Sequence, residues 1–146
     1  MSNVEFVTDT AMFCVFDLAS LRHRIDDDCD WWSVPDEELI ELNAGNVAFI
    51  GLGEDGKYSL DLSESPDDVD CTLNLKCPSG RIFLGAGEEV TGEGLEPEAI
   101  RGGTFLTVVP GNYRLLITRK SERAIAVRLQ ATEGSGDNQF ACPIRI

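Results

Sequence analysis

Residues Gly103 to Lys120 read GTFLTVVPGNYRLLITRK, and this stretch decides the fold class. Two runs rich in Thr, Val, Leu and Ile flank Pro110-Gly111-Asn112, which is turn chemistry between strand-forming segments. Pro presets φ, and Gly and Asn tolerate the left-handed conformations that close a turn. On the outgoing arm Tyr113, Leu115 and Ile117 share one face, with Arg114, Leu116 and Thr118 on the other. The pattern predicts a β-hairpin. It also places Gly111-Asn112-Tyr113 at the start of a strand, as in the tyrosine corner of sandwich domains.

Working outward, RAIAVRLQAT (123–132) alternates Ile125, Val127 and Leu129 against Arg and Ala, a further strand. GSGDN follows as a flexible link. FACPIRI (140–146) is expected as a final edge strand, because Pro143 cannot donate to a central ladder. Upstream, AGEEVTGEGLEPEAIRGG (86–103) is a long connection without periodicity, and such connections are functional or mobile.

Two more hairpins are predicted in the first half. NVAFIGLG (46–53) and KYSLDLS (57–63) flank Asp55-Gly56, the pair that a tight type I′ turn demands. DCTLNLKC (70–77) and RIFLG (81–85) flank Pro78-Ser79-Gly80. VEFVTDT and AMFCVFDL, residues 4–18, supply one or two strands. One short helix is expected near residues 35–44, with Pro35 in its first turn, Asp36, Glu37 and Glu38 at the positive end of its dipole, and Gly45 closing it. Leu39, Ile40 and Leu42 give it a narrow apolar face. Seven to nine short strands predict an all-β fold, an antiparallel β-sandwich, as a single domain over residues 1–146.

Charge sets the next bound. The chain has 26 acidic and 12 basic residues, for a net charge of -14. Residues 1–98 hold 23 of the acids and 5 of the bases, whereas residues 99–146 hold 3 acids and 7 bases. A solvated acidic surface is the simpler reading; a negative face that attracts a basic partner is the functional one. Nucleic acid is disfavoured, since phosphates need Lys and Arg to neutralise them. The N-terminus lacks a basic region and a signal core, and no apolar run approaches the length of a membrane span. Five cysteines without a CxxC pair point to a reduced cytoplasmic protein whose thiols fill apolar space.

The candidate site is the segment 26–32, DDDCDWW. Asp27, Asp28 and Asp30 beside Trp31 and Trp32 combine charge with two large rings, and an exposed Trp ringed by carboxylates suits a hot spot for a basic protein. The simpler alternative has both rings covering the end of the sandwich. Asp26, Asp28, Asp30 and Glu37 also stand at the first, third, fifth and twelfth places of a calcium loop. Trp31 takes the place that needs glycine, however, so an acidic loop leading into a helix is favoured. His23 is the one histidine, and no nucleophile motif accompanies it. No enzyme and no cofactor are expected.

TDTAMFCVFDLASLRHRIDDDCDWW and GNVAFIGLGEDGKYSLDL resemble a bacterial family of small acidic proteins of unknown function, which implies no activity. GGTFLTVVPGNYRLLI is similar to the last strands of the competence protein J type, small proteins that inhibit a partner nuclease. That likeness implies inhibitor-like binding. The reading is therefore a non-enzymatic module that binds a basic protein, such as a toxin or nuclease, with a calcium-binding β-sandwich module as the alternative and the oligomeric state open.

Overall fold

The computed structural model describes residues 3–21, 34–62, 69–87 and 102–146. Ten strands and one helix follow in the order β1 (Asn3–Thr8), β2 (Met12–Asp17), α1 (Pro35–Asn43), β3 (Ala48–Gly51), β4 (Gly56–Asp61), β5 (Cys71–Cys77), β6 (Arg81–Ala86), β7 (Thr104–Thr107), β8 (Gly111–Ser121), β9 (Ala124–Thr132) and β10 (Ile144–Arg145). They form two five-stranded sheets, ordered β1-β4-β9-β8-β5 and β10-β3-β2-β6-β7. The expected sandwich is present, but its sheets are mixed. β4 runs parallel to β9, and β10 runs parallel to β3.

Alternation builds the core. Tyr113, Leu115 and Ile117 of β8 are buried as their spacing predicts, and they meet Phe13, Val15, Ile50 and Leu84 of the second sheet. Burial of such a set is the main stabilising term of a domain this size. The second sheet is apolar on both faces. Cys14, Phe16, Phe49 and Phe83 form a separate buried cluster on its far side, so β2 and β3 are buried at every residue.

The three predicted hairpins are not hairpins. β3 and β4, β5 and β6, and β7 and β8 each lie in different sheets, so each turn is a corner where the chain changes sheet. Turn residues reverse the chain locally; the sheet that the next strand joins is set by where its apolar face fits. Both tyrosines hold such corners. The Tyr113 hydroxyl donates to the Val109 carbonyl and that of Tyr58 to the Glu54 carbonyl, each four residues back and at 2.6 Å. The tyrosine-corner expectation thus holds for Tyr113, and the Gly-x-Tyr pattern repeats at Gly56-Lys57-Tyr58. The corner from β1 to β2 puts Ala11 at φ 55, a conformation that non-glycine residues rarely take. There the Thr8 hydroxyl accepts from the Thr10 and Met12 amides.

Among the described residues the tight hairpin lies elsewhere. β8 and β9 turn at Glu122 and Arg123. Arg123 reaches back to the Asp55 carbonyl at 2.8 Å and lies 5.1 Å over the Tyr58 ring.

Helix α1 matches its predicted span, with Pro35 in the first turn and three acids behind it. It closes as expected: Asn46 donates to Glu41 and Gly45 to Leu42, a pairing that needs Gly45 at φ 75. Its buried side differs from expectation. Leu42 is buried beside Glu38 and Glu41, while Ile40 is exposed. The 133–140 link is also pinned, not free. Asn138 sets its side-chain amide against β5, accepting from the Asn74 amide at 2.7 Å and donating to the Asn74 carbonyl at 2.9 Å. β10 sits at a sheet edge, as Pro143 predicts.

Candidate functional site

Asp26, Asp27, Asp28, Asp30, Trp31 and Trp32 lie outside the described residues, as does His23. Their flanks are fixed. Leu21 is fully buried in the second cluster, and Val34 is the N-cap of helix α1. The Asp17 carboxylate secures the outgoing end of β2. It is fully buried and accepts from the Ala19, Ser79 and Gly80 amides and from the Ser79 hydroxyl, at 2.6 to 3.0 Å. Glu37 is the one calcium-loop candidate among the described residues, half-buried in the first turn of α1. Among the described residues no three His, Cys, Asp or Glu side chains converge.

Charge divides sharply between frame and connections. Residues 22–33, 63–68 and 88–101 carry 12 of the 26 acids and 3 of the 12 bases. The first leaves from the end of β2 and the third from the end of β6, which are opposite ends of the second sheet because the two strands are antiparallel. The outer face of the first sheet is basic by contrast. Strand alternation places Lys57, Lys76, Arg114, Lys120 and Arg128 there, with Glu5 and Asp61 as its strand acids. Ion pairs cross it, among them Lys57–Glu5 at 3.4 Å, Lys76–Asp137 at 2.8 Å and Lys120–Asp61 at 3.9 Å. These three are solvent-exposed, so each contributes little to stability.

A cleft of about 490 Å³ opens between the end of β8 and β10, lined by Asp70, Arg119, Ser121, Glu122, Arg145 and Ile146. Arg119 is its central group, but its guanidinium is spent on structure. It donates to the Leu52, Ile146 and Glu122 carbonyls at 2.7 to 2.9 Å. Beside the cleft, Arg145 stands 3.6 Å from the Glu38 carboxylate. Glu38 is 3% exposed, and among the described residues its Oε2 has no hydrogen-bond partner. Burial raises its pKa and outweighs the lowering effect of Arg145. Reading the sequence by periods of two would have found Arg119, since it continues the buried column Tyr113, Leu115, Ile117. Glu38 gave no signal, because acids in a first helical turn suit the dipole without being buried.

Cys14, Cys71 and Cys77 fill apolar space as expected, whereas Cys142 is exposed. Burial, with the Asp17 charge, pushes the Cys77 thiol up to about 12. No described helix is long and apolar enough to cross a membrane.

The architecture is a two-sheet β-rich frame bearing one short helix and acidic connections. The chain belongs to the family of unknown function DUF6386, whose model matches residues 1–146. That agrees with the expected family without an assigned activity. No curated protein matches. Among solved structures the chain is similar to one titled crocagin biosynthetic gene J, at 17% identity and a TM-score of 0.57, covering 90% of this chain and 98% of that one. That likeness extends to the fold. A structure titled ComJ, inhibitor of the DNA degrading activity of NucA, from Bacillus subtilis, matches at 13% identity and a TM-score of 0.42, covering 90% and 96%.

Proposed function

We propose that this protein is a non-enzymatic binding module that captures a basic protein, in the manner of an inhibitor or immunity partner of a toxin or nuclease. One observation carries the reading: the division of charge between a packed frame and three connections rich in acids. A field of this sign raises the encounter rate of a positively charged partner and repels nucleic acid and other acidic chains. Asp27, Asp28 and Asp30 supply the local charge in this proposal, and Trp31 and Trp32 supply the apolar anchor.

The test begins with the purified protein immobilised and challenged with lysate, then washed at low and at high salt. A basic protein held at low salt and shed at high salt is the expected result. Asp27→Lys with Asp30→Lys should then weaken capture about tenfold, roughly 1.4 kcal/mol. Unchanged capture would remove the 26–32 segment as the contact. Retention that ignores salt would remove the electrostatic reading altogether.

A further inference from the structure

Edge strands invite pairing, and folded proteins block them with charge, proline, bulges or covering segments. Two of the outer edges here are covered. β5 meets the Asn138 side chain, and the Lys76 amide donates to the Gly45 carbonyl at 2.8 Å. β1 meets the turn before β7, where Phe6 bridges Gly102 and the Gly103 amide donates to the Glu5 carbonyl at 2.9 Å. β7 lacks such cover among the described residues.

The direction of its backbone groups follows from its ladder. The Val108 amide donates to the Gly80 carbonyl, which makes residues 80 and 108 a hydrogen-bonded pair. In an antiparallel ladder such pairs alternate, so Leu106 and Thr104 face β6, and Phe105 and Thr107 turn their N–H and C=O groups away. The other side of β6 agrees, since the Leu18 amide donates to the Arg81 carbonyl. The Phe105 carbonyl has the Thr104 hydroxyl at 3.5 Å, the limit of a hydrogen bond. Nothing described takes the Phe105 or Thr107 amide.

The edge also lacks the usual electrostatic guard. Gly102 to Tyr113 contains no charged residue, in a chain that is 26% charged. Phe105 and Val109 are exposed, the latter at 78%, and the Arg81 guanidinium lies 5.4 Å over the Phe105 ring.

We infer that β7 is a self-association edge, which joins a second copy of this chain in an antiparallel pair. The strand is self-complementary. With a two-fold axis through Leu106, Phe105 pairs with Thr107 of the other copy and Thr107 with its Phe105, forming four backbone hydrogen bonds. An isologous contact of this kind closes as a dimer and does not propagate. The uncharged edge is also the place where two strongly negative molecules approach at least cost. Like-charge repulsion remains between the copies, so salt must strengthen this contact, the opposite of its effect on capture of a basic partner.

Sedimentation velocity over a concentration series, at about 0.02 and about 0.5 M salt, reads this directly. A concentration-dependent dimer that gains at least severalfold in affinity at the higher salt is expected. Thr107→Pro removes an amide that the monomer does not use, and should leave the melting temperature intact while abolishing the dimer. Should that variant misfold, Phe105→Lys places a charge on the edge, and wild-type amide exchange at Phe105 and Thr107 should slow as the dimer forms. A monomer at every concentration and salt would overturn the inference. So would a dimer indifferent to both variants, or protection of these amides that needs a different protein. Because the readout uses this chain alone, it stands or falls apart from the proposed capture of a basic partner.

Discussion

A buried carboxylate beside a guanidinium is usually an ion pair that defends itself with hydrogen bonds; Glu38 has the guanidinium, but its Oε2 lacks the hydrogen bond among the described residues. Its Oε2 faces Arg145 at 3.6 Å, and α1 holds it at 3% exposure. Desolvation therefore outweighs attraction, and the folded carboxyl keeps its proton to higher pH than in the unfolded chain. Folding takes up a proton in that window. The protonated group's contribution to stability is full below the ordinary glutamate range and is lost as pH rises through the raised value. Glu38→Gln keeps a neutral side chain of the same shape. Its melting temperature should match wild type near pH 4 and exceed it near neutrality, which thermal melts across pH would show. A loss near neutrality with none near pH 4 would mean that Arg145 needs the charge more than the core rejects it.

Among the elements, β5 shows how far the sequence could be read. The alternation of Cys71, Leu73, Leu75 and Cys77 is plain in the sequence, and all four are buried. Its pairing was not legible. Pro78-Ser79-Gly80 reads as a hairpin turn, yet β5 pairs with β8, and β6 lies in the opposite sheet. Turn chemistry is local, whereas sheet membership depends on strands tens of residues away. The same limit hid Asn138, whose partners Asn74 and Leu42 lie 64 and 96 residues from it. What could be read was the Tyr113 corner, because its glycine, tyrosine and acceptor sit within one turn. The segment proposed to bind a partner was legible only as composition, four acids and two tryptophans between a buried Leu21 and the start of α1. Asn138 offers the sharper experiment. Asn138→Ala removes three hydrogen bonds, to the Asn74 amide, the Asn74 carbonyl and the Leu42 carbonyl. At about 1 kcal/mol each, the cost should be roughly 2–3 kcal/mol in urea unfolding. Amide exchange at Asn74 should quicken first, since its edge then opens to water. A loss spread evenly over all strands would show that Asn138 steadies the whole fold instead of this edge.

The whole molecule balances a net charge of -14 on a frame that must stay folded. Self-repulsion of such a chain lowers the stability of the compact state. The basic outer face of the first sheet opposes that repulsion, with Arg114 and Arg128 both exposed near its middle. Arg114 lies opposite Asn74 and Gln130 in the ladder, and Arg128 lies opposite Leu116, so no strand acid stands directly across from either. Reversing both charges acts on the field of the entire molecule as well as on whatever each arginine meets locally. Arg114→Glu with Arg128→Glu would carry the net charge from -14 to -18. The double variant should lose about 1 kcal/mol at low salt, the scale of exposed charge interactions. Most of that loss should return near 0.5 M salt, where the screening length falls to about 4 Å. A loss independent of salt would instead trace to packing of the two arginine stems along the sheet. The salt-sensitive outcome has a functional corollary. The field that destabilises the free protein would be relieved by a bound basic partner, so part of the proposed partner's affinity would be the release of this protein's own repulsion.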